Sequence, residues 1–464
     1  MSTVPTSPDG AGAGCVRPVR LAGHSEQVDL GTGEVRRVAA PGVVHVRCNN
    51  RRASACPDCS KLYQGDARRI VVRGLDGEAF AGAPAWFVTL TAPSFGPVHS
   101  RRAGRNADSR VCRERSGTCE HGRALGCRIR HGEDDKRLGE PICPRCFRYA
   151  DAVVWNSLAS TLWKATRDRL ESAVASAAGL TVTGLRRAVR VSFVRVAEMQ
   201  RRGLVHLHVV IRVDGRTPYG EVCAAPDWAR GELVADCLRA VVASVTVTAP
   251  DPAAVALLDT SGALPAMPAA GGCVAVGWGR QIDIRRIRLD GDTGPMKVAN
   301  YLAKSLTKST ADGGALDSPV RSLRHLARLG LRDHARRLVE TCLRLGADRT
   351  FGEQLDAAAG RPTGRSTGLT RWAHSFGFGG HWLTKSRKYS TTFTAIRGRR
   401  RRYARMLAAV LSGRDVTVDG GGLVAVDTFG RPDGDPATLV VGAWRYAGRG
   451  RDLSAGTTDA GGGP

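Results

Sequence analysis

No stretch of the chain reaches the roughly eighteen uninterrupted apolar residues that a membrane helix needs. The opening MSTVPTSPDGAGAG also lacks the charged-then-apolar order of an export signal, so a cytoplasmic location is expected. Acidic side chains are short as well: 43 Asp and Glu face 69 Lys and Arg, a formal net charge of +26 at pH 7. That imbalance, with a pI near 10.4, points to a polyanionic partner, nucleic acid first. Thiols do not pair out either. The 13 Cys are an odd number and cluster before residue 147 in a chain without an export layout, which favours zinc over disulfides. What is present is bulk: 464 residues, 42% of them hydrophobic, suffice for two to four domains with real cores.

The chemistry centres on residues 194 to 214, VRVAEMQRRGLVHLHVVIRVD, two β-branched runs joined by an Arg201-Arg202-Gly203 turn. A strand alternates faces, so His206 and His208 emerge together and Leu207 points away. With the turn near Arg202, Glu198 falls across from His206. Two imidazoles and a carboxylate suit a divalent ion with positions left for substrate oxygens.

Two cysteine-rich stretches supply further ligands. In RCNNRRASACPDCSKLY, Cys56 and Cys59 form a knuckle and Cys48 adds a third thiolate. Cys15 is preferred over His45 as the fourth, because it stands alone in an otherwise featureless segment. Arg51 and Arg52 beside these thiols make a basic, metal-pinned surface suited to DNA phosphates. A second cluster holds Cys112, Cys119, His121, Cys127, His131, Cys143 and Cys146, more than one ion can use. Cys143 and Cys146 are ligands by their CPRC spacing, and Cys119 and Cys127 are the next thiols considered. Which residues complete the sphere stays open between spare thiols and a second ion.

Between these motifs, WFVTLT reads as a buried strand, residues 150 to 178 as one amphipathic helix and residues 226 to 245 as another. Residues 246 to 275 read as an Ala, Pro, Gly and Val rich loop, and WGRQIDIRRIRL as a strand. In MKVANYLAKSLTKS, offsets of three and seven put Tyr301, Lys304 and Lys308 along one helical face. A phenol is only about one part in a thousand ionised at neutral pH, so a nucleophilic tyrosine gains from a lysine one turn away. Further on, Lys385, Arg387, Lys388 and the Arg397 to Arg402 run lie beside Tyr389 and Tyr403, basic groups with aromatics between them. Tyr389 is a spare nucleophile ranked below Tyr301, since no metal hairpin adjoins it.

CNNRRASACPDCSKLYQGD, FVTLTAPSFGPVH, LGEPICPRC, VAEMQRRGLVHLHVVIR, WGRQIDIR, VANYLAKSLTK and GFGGHWLTKSRKYSTTF, taken in this order, resemble the actinobacterial plasmid replication initiators. These are rolling-circle initiators of the HUH endonuclease superfamily. The short core of FVTLT, His206-Leu207-His208 and Tyr301 with Lys304 is shared with relaxases and some transposases. The resemblance implies Mg²⁺ or Mn²⁺ on His206 and His208, and Tyr301 as nucleophile on single-stranded origin DNA. It also implies duplex plasmid-origin DNA, a host helicase and a DNA polymerase as partners. Relatives often carry a second aromatic where this chain has Ser305, so a two-tyrosine relay within that helix is not available. Two readings compete: a relaxase or transposase using the same site, and a zinc-dependent DNA-binding regulator without catalysis, which needs no Tyr301.

The expected fold class is α+β: an HUH-type antiparallel sheet with helices on one face, Cys-rich zinc-binding elements and a basic helical C-terminal region. The expected divisions are a disordered 1–14, a zinc-binding element at 15–75, and a nicking domain at 80–310 with a zinc-binding insertion at 110–147. A basic helical region at 315–412 follows, then a small β segment and disordered tail at 413–464.

Overall fold

A computed structural model of the protein describes residues 14–75, 83–101, 111–255, 272–288, 294–307, 316, 318–362, 364 and 366–450. The chain divides into two compact units, one of Val71–Ser390, the other of Met1–Ile70 together with Thr391–Pro464.

The larger unit is built on an antiparallel sheet. Its path runs through β1 (Ala85–Leu90), β2 (Val189–Met199), β3 (Val205–Arg216), β4 (Ile282–Arg286) and β5 (Leu383–Lys385) in the spatial order β5-β2-β3-β1-β4, and a short sixth strand, Val222–Cys223, pairs with the end of β3. The β2–β3 hairpin is the centre because both strands are β-branched runs with a neighbour on each side. Alternation then sorts the side chains. Leu207, Val209, Ile211 and Val213, with Trp86, Val88 and Leu90 of β1, enter a core shared with Val153, Trp155 and Leu158 of helix α1 (Tyr149–Ala177). Each such fully buried side chain contributes about 1.5–3 kcal/mol. His206, His208, Glu198, Thr89 and Phe87 fall on the opposite face by the same alternation.

That opposite face is not bare of helix, which corrects the expectation of helices on one side only. Helix α2 (Pro295–Thr307) packs against β2. Its buried Val298, Ala299, Leu302, Ala303 and Leu306 need an apolar seat, and buried Val194 and Val196 of β2 lie on that face. Two further corrections concern local structure. The helix expected over 226 to 245 is two, Asp227–Arg230 and Leu233–Ser244, interrupted at Gly231. The stretch read as a loop contains strands Thr246–Pro250 and Cys273–Gly277, paired antiparallel, while residues 256–271 lie outside the described residues.

The hairpin turn is held from several sides. Gly203 has φ +74°, and a Cβ there would meet Leu338 Cδ1 at 2.1 Å. Asn156 of α1 donates to the carbonyls of Gly203 (2.8 Å) and Phe376 (3.0 Å) and accepts from the Val205 amide (3.0 Å), so its buried amide is satisfied. His334, on helix α3 (Asp333–Ala347), reaches the Arg202 carbonyl through Nε2 at 3.0 Å and the Tyr149 hydroxyl through Nδ1 at 3.1 Å. Burial, opposed by the hydrogen bond to Arg202 and aided by Arg332 and Arg337, lowers the His334 pKa to about 4. The unfolded chain therefore takes up a proton near the ordinary histidine value that the native state refuses. Stability is full above that value and falls by at most about 1.4 kcal/mol per pH unit as pH drops toward the native pKa. Between pH 7 and 5 the urea midpoint of the wild type should fall more than that of His334→Gln; equal slopes would remove this role.

The smaller unit joins the two ends of the chain. Val19–Asp29 is the middle strand of three, paired antiparallel with Val35–Val46 and with Thr438–Arg449, for example Val28 opposite Leu439. Helix Pro57–Val72 meets helix Phe393–Leu411 through a Tyr63–Phe393 ring stack at 5.0 Å. Asp66 accepts from Arg397 (3.3 Å) and from Arg400. In this division residues 391 to 450 fall with the N-terminal segment, and residues 318 to 362 and 366 to 390 with the central sheet. Among the described residues no helix is long and apolar enough to cross a membrane.

Candidate active site and metal centres

The register places Glu198 opposite His206 and Val196 opposite His208. The two imidazole centroids are 4.6 Å apart on one face. Thr89 Oγ1 lies 3.2 Å from His208 Nδ1, which occupies that nitrogen and leaves Nε2 facing outward. His208 Nε2 sits 3.5 Å from a Glu198 carboxylate oxygen and 3.4 Å from the Tyr301 hydroxyl. Phe87 orients both rings, stacking on His208 at 5.7 Å and meeting Tyr301 edge-on at 5.8 Å. Helix α2 thus delivers Tyr301 to the imidazole, and the phenol is still 46% exposed. Lys304, one turn on, is exposed too, whereas Lys308 lies outside the described residues.

Two imidazoles and a carboxylate are a donor set for a divalent ion. It is not drawn together as tightly as the thiol clusters. Among the described residues the groups whose ligand atoms all lie within 4.8 Å of one another are three Cys/His sets, and this trio is not one of them. His206 is engaged by Gln200 at 3.1 Å through Nδ1, and Gln200 in turn accepts from Arg202 Nε at 2.8 Å. Arg202 also donates to the carbonyls of Pro93 (3.2 Å) and Ala92 (3.1 Å), tying the turn to the end of β1. Thr89 and Gln200 escaped the sequence reading. Both lie within two residues of a strand end or the turn, and only the register brings them to the imidazoles.

Two sequence-based assignments change. Tyr389 is 2% exposed, donates to the Val71 carbonyl at 3.2 Å, and has its pKa pushed up by burial, so it presents no nucleophile. Lys385 points its ammonium at the carbonyls of Ser386, Arg387 and Ser390 (3.3, 3.1 and 2.9 Å), which makes it a loop fastener, while Arg387 and Lys388 remain exposed. Ser305 is buried on the inner face of α2, where an aromatic would enter the core. Arg51 and Arg52 are half-buried beside the first thiol cluster, and burial lowers the Arg51 pKa to about 10.

The thiols fall into sets. Cys15, Cys48, Cys56 and Cys59 form one, with Cys15 and Cys56 sulfurs 3.8 Å apart and the Cys48 amide donating to Cys15 Sγ at 3.4 Å. Burial pushes the Cys48 thiol up to about 12. Cys56 goes down to about 7, where burial is outweighed by hydrogen bonds from the Cys59 and Val16 backbones and the neighbouring thiols. The others are Cys119, His121, Cys143 and Cys146, and His99, Cys112, Cys127 and His131. Cys127 therefore sits apart from Cys119, Cys143 and Cys146, with which the sequence reading had grouped it. His99, thirteen residues before its nearest partner in sequence, was not a sequence candidate.

A family model described as RepSA, Replication initiator protein, pSAM2, matches residues 10–458. A replication initiator protein of Streptomyces ambofaciens is 36% identical over 459 residues, covering 95% of this chain and 84% of the relative. No solved structure matches. Set beside a strongly basic chain whose two adjacent imidazoles, carboxylate and half-exposed tyrosine share one sheet face, the match over nearly the whole length is decisive: the chain belongs to the RepSA family of plasmid replication initiators.

Proposed function

We propose that this initiator nicks and rejoins single-stranded DNA at its plasmid origin through a 5′-phosphotyrosine on Tyr301, starting rolling-circle replication, and that its central sheet is an HUH-type nicking fold. The observation that carries this reading is the Tyr301 hydroxyl at 3.4 Å from His208 Nε2, on a face shared with Glu198 and open to solvent. His206, His208 and Glu198 would hold Mg²⁺ or Mn²⁺, which supplies polarisation of the scissile phosphate. Tyr301 Oη forms the bond to phosphorus, the bond to the 3′ oxygen breaks, and the phenolic proton ends on the released 3′-hydroxyl, a primer for a host polymerase working with a helicase. Lys304, one turn along α2, offsets charge on the five-coordinate phosphorus. Thr89 fixes the His208 ring, and Gln200 fixes His206. Arg387 and Lys388, with Arg51 and Arg52, are proposed phosphate contacts, and zinc on Cys15, Cys48, Cys56 and Cys59 is proposed as structural.

The test is a denaturing gel of the full chain incubated with Mn²⁺ and single-stranded origin DNA labelled on the 5′-phosphoryl side of the nick. The label should migrate with protein, and peptide mapping should place it on the fragment carrying Tyr301. Duplex origin binding without any adduct would sink the nickase and leave a zinc-dependent DNA-binding regulator.

A further inference from the structure

Residues 111 to 148 have almost no core of their own. Their regular structure is a single turn, Pro144–Cys146, and isolated bridges such as Arg113–Cys127 and Thr118–Ala124. A segment of this kind needs another source of stability. Eight side chains placed to hold metal ions fall in four pairs along the chain: His99 with Cys112, Cys119 with His121, Cys127 with His131, and Cys143 with Cys146. In space the first pair joins the third and the second joins the fourth.

We propose that residues 99 to 146 bind two zinc ions in this crossed arrangement, and that the ions fix the segment against the turn carrying Gln200. The spacing of the ligands is that of an ion's coordination sphere. A tetrahedral zinc with bonds of about 2.3 Å to sulfur and about 2.0–2.1 Å to nitrogen has ligand-to-ligand edges of roughly 3.3–3.8 Å. In one set His99 Nδ1 and His131 Nε2 are 3.2 Å apart, and Cys127 Sγ is 3.5 Å from His131 Nε2. In the other, His121 Nδ1 is 3.2 Å from Cys146 Sγ and 3.9 Å from Cys143 Sγ. A second, independent sign is the outer partner of His131. Asp135 takes its Nδ1 at 2.7 Å, which fixes the tautomer with Nε2 turned to the sulfurs, and Arg137 holds Asp135 in place at 2.7 Å.

The stretch after His131 lies directly on the hairpin turn. Arg201 donates to the Glu133 carbonyl at 2.7 Å, and Arg332 to the Lys136 carbonyl at 2.7 Å. Gly139 has φ +88°, and a Cβ there would stand 2.5 Å from the Arg201 carbonyl carbon. Crossing matters for this role, because neither ion can leave without loosening strands of both sets. The metal assignment stands without the nicking proposal; only its consequence for the chemistry rests on it.

The test is metal content of the purified full chain by plasma mass spectrometry and native mass spectrometry. Three zinc ions per chain are expected, one per set. Cys112→Ser/Cys127→Ser should lose at least one, and a control, Cys237→Ser/Cys273→Ser, none. Fewer than two ions in wild type, or no loss in the first variant, would overturn the proposal. Cobalt substitution tests the crossing. His131→Ala should abolish the band of the site with two thiolates and spare the redder band of the site with three; the reverse pattern would mean that consecutive pairs, not crossed ones, share an ion. None of these readouts depends on strand cleavage.

Discussion

Tyr301→Phe is expected to lower origin-strand cleavage by about a thousandfold or more and to abolish the covalent adduct, because neither Ser305 nor Tyr389 can take over the attack. Ser305 is buried, and Tyr389 is enclosed with its hydroxyl on a backbone carbonyl. The substitution removes one exposed hydroxyl from a residue whose ring still packs on Phe87, so folding should be untouched. Tyr389→Phe should do the opposite, leaving the adduct at wild-type yield while costing about 1–3 kcal/mol for the Val71 carbonyl left unpaired. Single-turnover cleavage and a thermal melt of each variant separate the two. An adduct that persists in Tyr301→Phe would keep the chemistry and move the nucleophile, whereas loss in both would show that the phenols act through structure.

What the sequence made legible was local. Alternation over VHLHVV is enough to set His206 and His208 together, and a turn at Arg202 is enough to set Glu198 opposite, since both depend on neighbours within a dozen residues. Helical spacing likewise put Tyr301 and Lys304 on one face. Pairing across long separations was not legible. Val19–Asp29 meets Thr438–Arg449 some four hundred residues later, and the side chains it buries, Ser25, Gln27 and Asp29, are polar and give no apolar alternation to announce a middle strand. The same holds for the metal sets. CPRC names two ligands of an ion, but nothing in spacing says that His121 belongs with it and that Cys127 belongs with His99. The face occupied by α2 was missed because an amphipathic helix shows that it has a buried side without showing which side of a sheet receives it.

The second large effect is expected from the first thiol set. Cys15 stands just before strand Val19–Asp29, Cys48 just after strand Val35–Val46, and Cys56 and Cys59 at the start of helix Pro57–Val72. One ion there would tie three elements of the smaller unit at a single point, and the buried Cys15, Cys56 and Cys59, with Cys48 against them, form a small cluster of their own. Structural zinc sites bind with about 10–16 kcal/mol of apparent free energy, as large as the whole stability of a small domain. Cys56→Ser should therefore unfold the N-terminal part of this unit instead of merely softening it. Trypsin should then cut at Arg51 and Arg52, which lie in the loop between Cys48 and Cys56, and at Arg47 just before it, and duplex origin binding should fall with it. A strong chelator should produce the same cuts in wild type, and added Zn²⁺ should reverse them only there. Cleavage of labelled single-stranded DNA supplies the contrast. If Cys56→Ser resists trypsin and melts within a degree or two of wild type, the four thiols hold no structural ion, and the basic loop they flank must be ordered by its own side chains.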